Sequence, residues 1–180
     1  NAGLTQALCT ALAQVATTTG RKVPVVFASS IQAAQDNAYG QSKRAAEDAL
    51  FALQHEYGVP VHVFRLPNVF GKWARPNYNS AVATFCHNTA RGLPITVNDP
   101  AASLTLVYVD DVVQRFIHLL DGADAALDAA GFATVAPQYS TTVGALAAQI
   151  QAFKESRNNL VTERVGTGLV RALYSTYVSY

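Results

Sequence analysis

Apolar residues recur at helical spacing in the opening stretch of the chain. Leu4, Leu8, Leu12 and Val15 predict a helix over Leu4 to Ala16 that stops at Gly20. A short apolar run, Val25-Val26-Phe27, lies between Pro24 and Ser29-Ser30 and reads as a fully buried strand. After a loop, a second helix runs from about Asn37 to about Tyr57, where Gly58 and Pro60 end it. Val61 to Phe64 is the next strand, predicted to run on through Arg65 and Leu66 to Gly71. Two long helices flanking a strand make a βαβ-like pattern, which favours a parallel sheet and an α/β fold.

The remaining pattern is more broken. Lys72 to Ser80 shows little periodicity and reads as a loop, and Ala81 to Arg91 as a helix closed by Gly92 and Pro94. Short strands are predicted at Ile95 to Val97, at Leu104 to Val109 and, weakly, at Phe132 to Val135. Asp110 and Asp111 are expected to cap a helix that ends near Gly122. A last helix starts at Thr141 or Thr142 and reaches Arg157, with Val143, Leu146, Ile150 and Phe153 on one stripe. Beyond Asn159 the chain turns polar, and its tyrosines read as contacts of a linker.

Composition narrows the class. With 180 residues, half of them hydrophobic, the chain can build one domain around a real core. A net charge of +1 and 14% charged residues argue against a nucleic-acid or anionic-membrane surface. No apolar run approaches the roughly 20 residues of a membrane span, and no signal peptide is visible. Cys9 and Cys86 sit in apolar helical patterns and read as buried free thiols of a reducing, cytoplasmic compartment. His55, His62, His87 and His118 are scattered without metal-ligand spacing. There is no methionine, which reads as a fragment or an N-terminally trimmed chain.

The candidate chemistry sits on the second helix. Tyr39 and Lys43 are four residues apart, so their side chains share one helix face. A free phenol titrates near pH ~10 and barely exchanges its proton at neutral pH. A neighbouring ammonium favours the phenolate, and with a serine at the preceding strand end the set can handle a proton. The competing reading pairs Lys43 with Glu47 on the next turn as an ordinary helix-surface ion pair. The loop offers a second set, with Lys72 and Arg75 beside Trp73 and Tyr78. Cations beside aromatics suit a diphosphate with a base or sugar ring. A solvated loop with an anchored tryptophan competes with that reading.

The order buried strand, Ser-Ser, short loop, Tyr, Lys resembles the short-chain dehydrogenase/reductase superfamily, in its extended branch (the NAD-dependent epimerase/dehydratase family). The resemblance implies the C-terminal part of a Rossmann-type doubly wound parallel sheet, with the small substrate-binding region of that branch. It implies Ser30, Tyr39 and Lys43 as the catalytic trio, with Ser29, Tyr39, Lys43, Pro67, Asn68 and Val69 beside an NAD or NADP cofactor. RLPNVFG, Arg65 to Gly71, is similar to a family motif whose asparagine helps hold a nucleotide sugar, which puts Asn68, Lys72, Arg75 and Asn79 on the substrate. Without that resemblance, Asn68 reads as a turn residue after a strand. LTLVYVDD departs from its family counterpart at Leu104, where an arginine usually grips the diphosphate.

SSIQAAQDNAYG, RLPNVFGKWARPNYNS, LTLVYVDD and YSTYVSY together resemble the bacterial reductases of capsular-polysaccharide and O-antigen synthesis. Those act on a UDP-linked keto-sugar on the way to UDP-N-acetyl-L-talosamine. Asn1 resembles an asparagine on the helix before their serine strand. The resemblance implies a UDP-sugar substrate and a homodimer through the helices around 4–16 and 37–57. It divides the chain into 1–70 (cofactor half with the Ser/Tyr/Lys site), 71–158 (mixed sheet and substrate region) and 159–180 (linker). It also implies that the glycine-rich cofactor turn and a further C-terminal domain lie outside these residues, which leaves the isolated chain inactive. The one G-x-G, Gly166-Thr167-Gly168, is rejected as a dinucleotide site because Arg171 falls where a third glycine belongs and no strand leads into it. An epimerase or dehydratase, a dimerising fragment and a sugar-binding module stay open beside the reductase.

Overall fold

The structure is a computed structural model and describes residues 2–159, 161 and 163–180. The chain divides into two compact units, Asn1–Pro67 with Phe116–Val135, and Asn68–Arg115 with Ala136–Tyr180.

In the first unit the helical run is longer than its apolar stripe, spanning Ala2–Thr19 (α1). It stops at Gly20, whose N–H donates to the Ala16 carbonyl at 3.0 Å. Strand β1 is Val25–Ser30, followed by a 3-10 turn at Ile31–Ala34, helix α2 at Ala38–Tyr57 and strand β2 at Val61–Leu66. Asn37 caps α2, its side-chain oxygen accepting from the Gly40 N–H at 2.8 Å. Gly58 closes α2 in the left-handed region at φ +65, a conformation glycine adopts without penalty.

With α2 as the crossover, β1 and β2 pair in parallel, Val25 opposite Val61 through Ser30 opposite Leu66. Cys9, Leu50, Leu53, Val59, Val61 and Val63 form the core of this unit. β1 is only half-buried along Val25 to Phe27, not sealed as its apolar run suggests. Among the described residues its sheet has two strands, so one edge of β1 has no neighbour. The weak strand expected at Phe132 to Val135 is reduced to a single antiparallel bridge, Ala133 opposite Leu127, after a turn at Ala129 and Ala130. The Asp128 carboxylate accepts from the Ala130 and Phe132 N–H groups, and Ala133 donates to Val63 at 2.8 Å.

The second unit holds a three-stranded sheet ordered β3-β4-β5, with β3 Asn68–Phe70, β4 Ser103–Tyr108 and β5 Tyr139–Thr142. β3 pairs β4 in parallel and β4 pairs β5 antiparallel. The single strand expected from Val61 to Gly71 is thus two strands in two sheets. Pro67 separates them because it has no N–H to give a ladder. Helices α3 (Ala81–Ala90), α4 (Val109–Leu120), α5 (Val143–Asn159) and α6 (Gly168–Tyr177) complete the described elements.

Phe70, Phe85, Leu106, Leu146, Ile150 and Phe153 are buried together in the second core. Four expectations change here. Ile95 to Val97 is irregular backbone, though Ile95 and Val97 still pack on this core. Asp110 and Asp111 lie inside the first turn of α4 rather than capping it, where negative charge suits the helix dipole. Tyr139–Thr142 is a strand, so α5 starts at Val143, and the Thr142 hydroxyl accepts from the Ala145 N–H at 3.2 Å. The supposed linker contains α6, with Ala172, Leu173 and Tyr177 buried and the Phe153 ring centroid 5.2 Å from that of Tyr174. No helix of the described residues is long and apolar enough to cross a membrane.

Candidate active site

The Ser/Tyr/Lys set lies in the first unit. Ser30 ends β1, and its hydroxyl accepts from the Gln32 N–H at 3.2 Å, capping the 3-10 turn. Tyr39 and Lys43 occupy the first two turns of α2. The Lys43 ammonium donates to the Ala28 carbonyl on β1 at 3.0 Å. It stands 5.8 Å from the centre of the Tyr39 ring and 5.2 Å from that of Phe27. The Tyr39 ring is 48% exposed, so the pair shares one accessible helix face and neither is sealed in the core. One ammonium carries three donors, and the Ala28 contact uses one.

The competing pairing of Lys43 with Glu47 does not occur. Glu47 is 1% exposed, and its carboxylate is held by Arg65, whose Nη2 donates at 2.6 Å and whose Nε donates at 3.1 and 3.2 Å. The buried Ser29 hydroxyl donates to the same carboxylate. This carboxylate and the hydrogen bond to it hold the Arg65 guanidinium above its ordinary titration range. The Arg65 guanidinium also lies 3.9 Å above the centre of the Phe132 ring. The Ser29 side chain therefore points into the unit, toward Glu47. Glu47 and Arg65 were missed as partners because their 18-residue separation carries no local signal; a lone acid on the apolar face of α2 was the only hint.

The remaining candidates lie at Pro67 and across the second unit. Pro67 ends the first unit and is buried. Asn68 and Val69 open β3, and the Asn68 side-chain amide donates to the Thr105 carbonyl at 3.1 Å. In the loop after β3, Lys72 forms an ion pair with Asp110 at 3.0 Å and stands 5.7 Å from the Trp73 ring centre. That hydrogen bond to Asp110 raises the Lys72 ammonium above its ordinary range. Arg75 lies 5.5 Å from the Tyr78 ring centre.

Both cation–aromatic pairs read from the sequence are present, but the tryptophan is 81% exposed rather than anchored. The loop backbone is held instead. The Trp73 N–H donates to the Ser179 hydroxyl at 3.4 Å, Asn77 N–H to Thr84 at 2.9 Å, and the Tyr180 hydroxyl to the Ala74 carbonyl. Asn79 is exposed one residue before Ser80, the N-cap of α3. Leu104 lies in β4 and packs against the second core. Asn1 lies outside the described residues.

The pattern of the NAD dependent epimerase/dehydratase family matches residues 3–130. A UDP-2-acetamido-2,6-beta-L-arabino-hexul-4-ose reductase of Pseudomonas aeruginosa is 55% identical over all 180 residues, which cover 46% of that protein. The capsular polysaccharide assembling protein CapF of Staphylococcus aureus superposes with a TM-score of 0.85 at 38% identity, over 95% of this chain and 47% of that one. The chain thus spans about half the length of these relatives. A UDP-glucuronic acid 4-epimerase from Bacillus cereus, in complex with UDP-glucuronic acid and NAD, shares the fold with a TM-score of 0.72 at 13% identity, over 97% of this chain and 65% of its own.

Proposed function

The chain belongs to the NAD dependent epimerase/dehydratase family, and from that premise we propose that Tyr39, Lys43 and Ser30 serve the nicotinamide-dependent reduction of a UDP-linked keto-sugar. One observation carries this reading: an ammonium and a phenol meet on an accessible face of α2, 5.8 Å from ammonium to ring centre, with the ammonium tied to the strand that ends in Ser30. The likeness to the Pseudomonas reductase, at 55% identity, favours reduction over the other outcomes of the family.

The residues suit a nicotinamide cofactor. Lys43 keeps two ammonium donors for a ribose diol, and Tyr39 is open beside it. A bound reduced nicotinamide supplies hydride to the keto carbon. Tyr39 gives its proton to the carbonyl oxygen as negative charge builds there. The Lys43 ammonium stabilises the phenolate left behind. Ser30 hydrogen-bonds the same oxygen, a donor in place before the charge arrives. For a nucleotide sugar the second unit itself offers Arg75, and Lys72 on release from Asp110, to a diphosphate in place of the arginine absent at Leu104, with the ring faces of Trp73 and Tyr78 and the amides of Asn68 and Asn79. The acceptor is the keto-sugar that leads to the N-acetyl-L-talosamine nucleotide. Helices α1 and α2, which leave Leu4, Leu8 and Tyr57 exposed, are the elements offered to a second copy.

The test is Tyr39→Phe in the protein as encoded, with all flanking sequence, followed by nicotinamide absorbance with a UDP-keto-sugar. Turnover is expected to fall by a factor of about 10²–10⁴, the contribution of a positioned acid, while cofactor affinity stays near that of the parent. Parental turnover in this variant removes the enzymatic reading.

A further inference from the structure

Glu47 is a buried carboxylate that the proposed chemistry does not use. It sits on α2 one turn beyond Lys43, and the two side chains reach adjacent residues of β1. Lys43 binds the Ala28 carbonyl, and Glu47 binds the Ser29 hydroxyl. On β2, the residue opposite Ser29 in register is Arg65, the other partner of Glu47. One carboxylate therefore ties one rung of the sheet to one turn of the helix. Side chains alternate across a strand, so Ser29 facing Glu47 turns Ser30 to the other side. A slip of one residue would exchange the two serines.

Buried ion pairs contribute little to net stability, because desolvation offsets their attraction; their best-attested use is to select one register. We propose that Glu47, with Ser29 and Arg65, is a positioning residue: it locks the register of α2 on β1 so that Lys43 reaches Ala28 and Ser30 emerges at the strand end. Its bearing on catalysis rests on the reading of Tyr39, Lys43 and Ser30 given above. The lock itself is a property of the fold.

The test separates register from stability. The triple variant Ser29→Ala, Glu47→Leu, Arg65→Leu replaces the network by apolar groups, which leaves no buried charge unpaired. Its melting temperature is expected to equal or exceed the parent's. In the 180-residue chain, ¹⁵N-lysine spectra with Lys43 assigned through Lys43→Arg report the ammonium directly. Parental Lys43 protons exchange with water more slowly than those of the exposed Lys22. In the triple variant, loss of one hydrogen bond speeds that exchange about five- to tenfold. In the protein as encoded, turnover falls roughly a hundredfold, as a displacement of about an ångström does.

If the triple variant does not fold, Ser29→Ala alone removes the strand end of the lock, with the same direction expected for Lys43. Parental Lys43 exchange in a folded variant overturns the proposal. Parental turnover in Tyr39→Phe removes only the enzymatic reading and leaves the ammonium result standing.

Discussion

A single methyl group at Gly40 tests how tightly the turn after Ser30 is pressed onto α2. A Cβ built there would meet the Gln32 carbonyl oxygen at 2.3 Å and the Gln35 carbonyl oxygen at 2.5 Å. Both atoms are backbone, so they cannot swing aside as the end of a flexible side chain would. Arg44 holds the same turn, its Nε donating to the Ala33 carbonyl at 2.9 Å and its Nη2 to the Gln35 carbonyl at 3.3 Å. Relief requires the turn or the first turn of α2 to move by about an ångström, because carbon contacts are comfortable only beyond ~3.5 Å.

Overpacking of this kind costs about 1–3 kcal/mol, and an unyielding backbone puts Gly40→Ala at the upper end. Helix propensity opposes it, since alanine is better than glycine by about 1 kcal/mol. The net loss is about 2 kcal/mol, or about 4–8 °C in a chain of this size. Gly3→Ala is the control. Gly3 is also helical, and nothing lies within 4 Å of its Cβ. Only propensity acts there, so it gains up to about 1 kcal/mol. Thermal and urea unfolding followed by circular dichroism measure both. A Gly40→Ala protein that melts at or above the parent refutes the packing argument.

The second unit is expected to fail first in alkali. Burial pushes the Cys86 thiol from 9.0 up to about 12. Burial also raises the phenols of Tyr108, Tyr139, Tyr177 and Tyr180. A raised folded value means stability that is complete below the unfolded value and lost as pH rises through the folded one. Urea midpoints should hold to about pH 9 and fall between about pH 9 and 12, less steeply in Cys86→Ala; a flat profile there contradicts the burial. Thiol reagents at about pH 8 should label neither Cys9 nor Cys86 in the native chain and both after denaturation, since each is buried. Trp73, the one tryptophan and 81% exposed, should emit as a solvated indole and be quenched by UDP. Trp73→Ala should shift stability by less than about 0.5 kcal/mol yet weaken UDP-sugar binding by about 1–3 kcal/mol; unchanged affinity removes the loop from the substrate site.

Features that one stretch of chain settles by itself were legible without coordinates. Asn37, Gly58 and the spacing of Tyr39 and Lys43 announce α2 and its accessible pair, because a helix closes its hydrogen bonds four residues away and its caps lie within a turn. Leu146, Ile150 and Phe153 likewise mark the buried face of α5. Remote partners were not legible. Ile95 to Val97 alternates like a strand but joins no ladder among the described residues, whereas Tyr139–Thr142, with weaker pattern, pairs with β4. A strand exists only where a distant segment supplies its other half. For the same reason Lys43 found the Ala28 carbonyl rather than Glu47. Which of two nearby groups an ion chooses depends on who shares its burial, and the three-dimensional packing of α2 on β1 and β2 decided that.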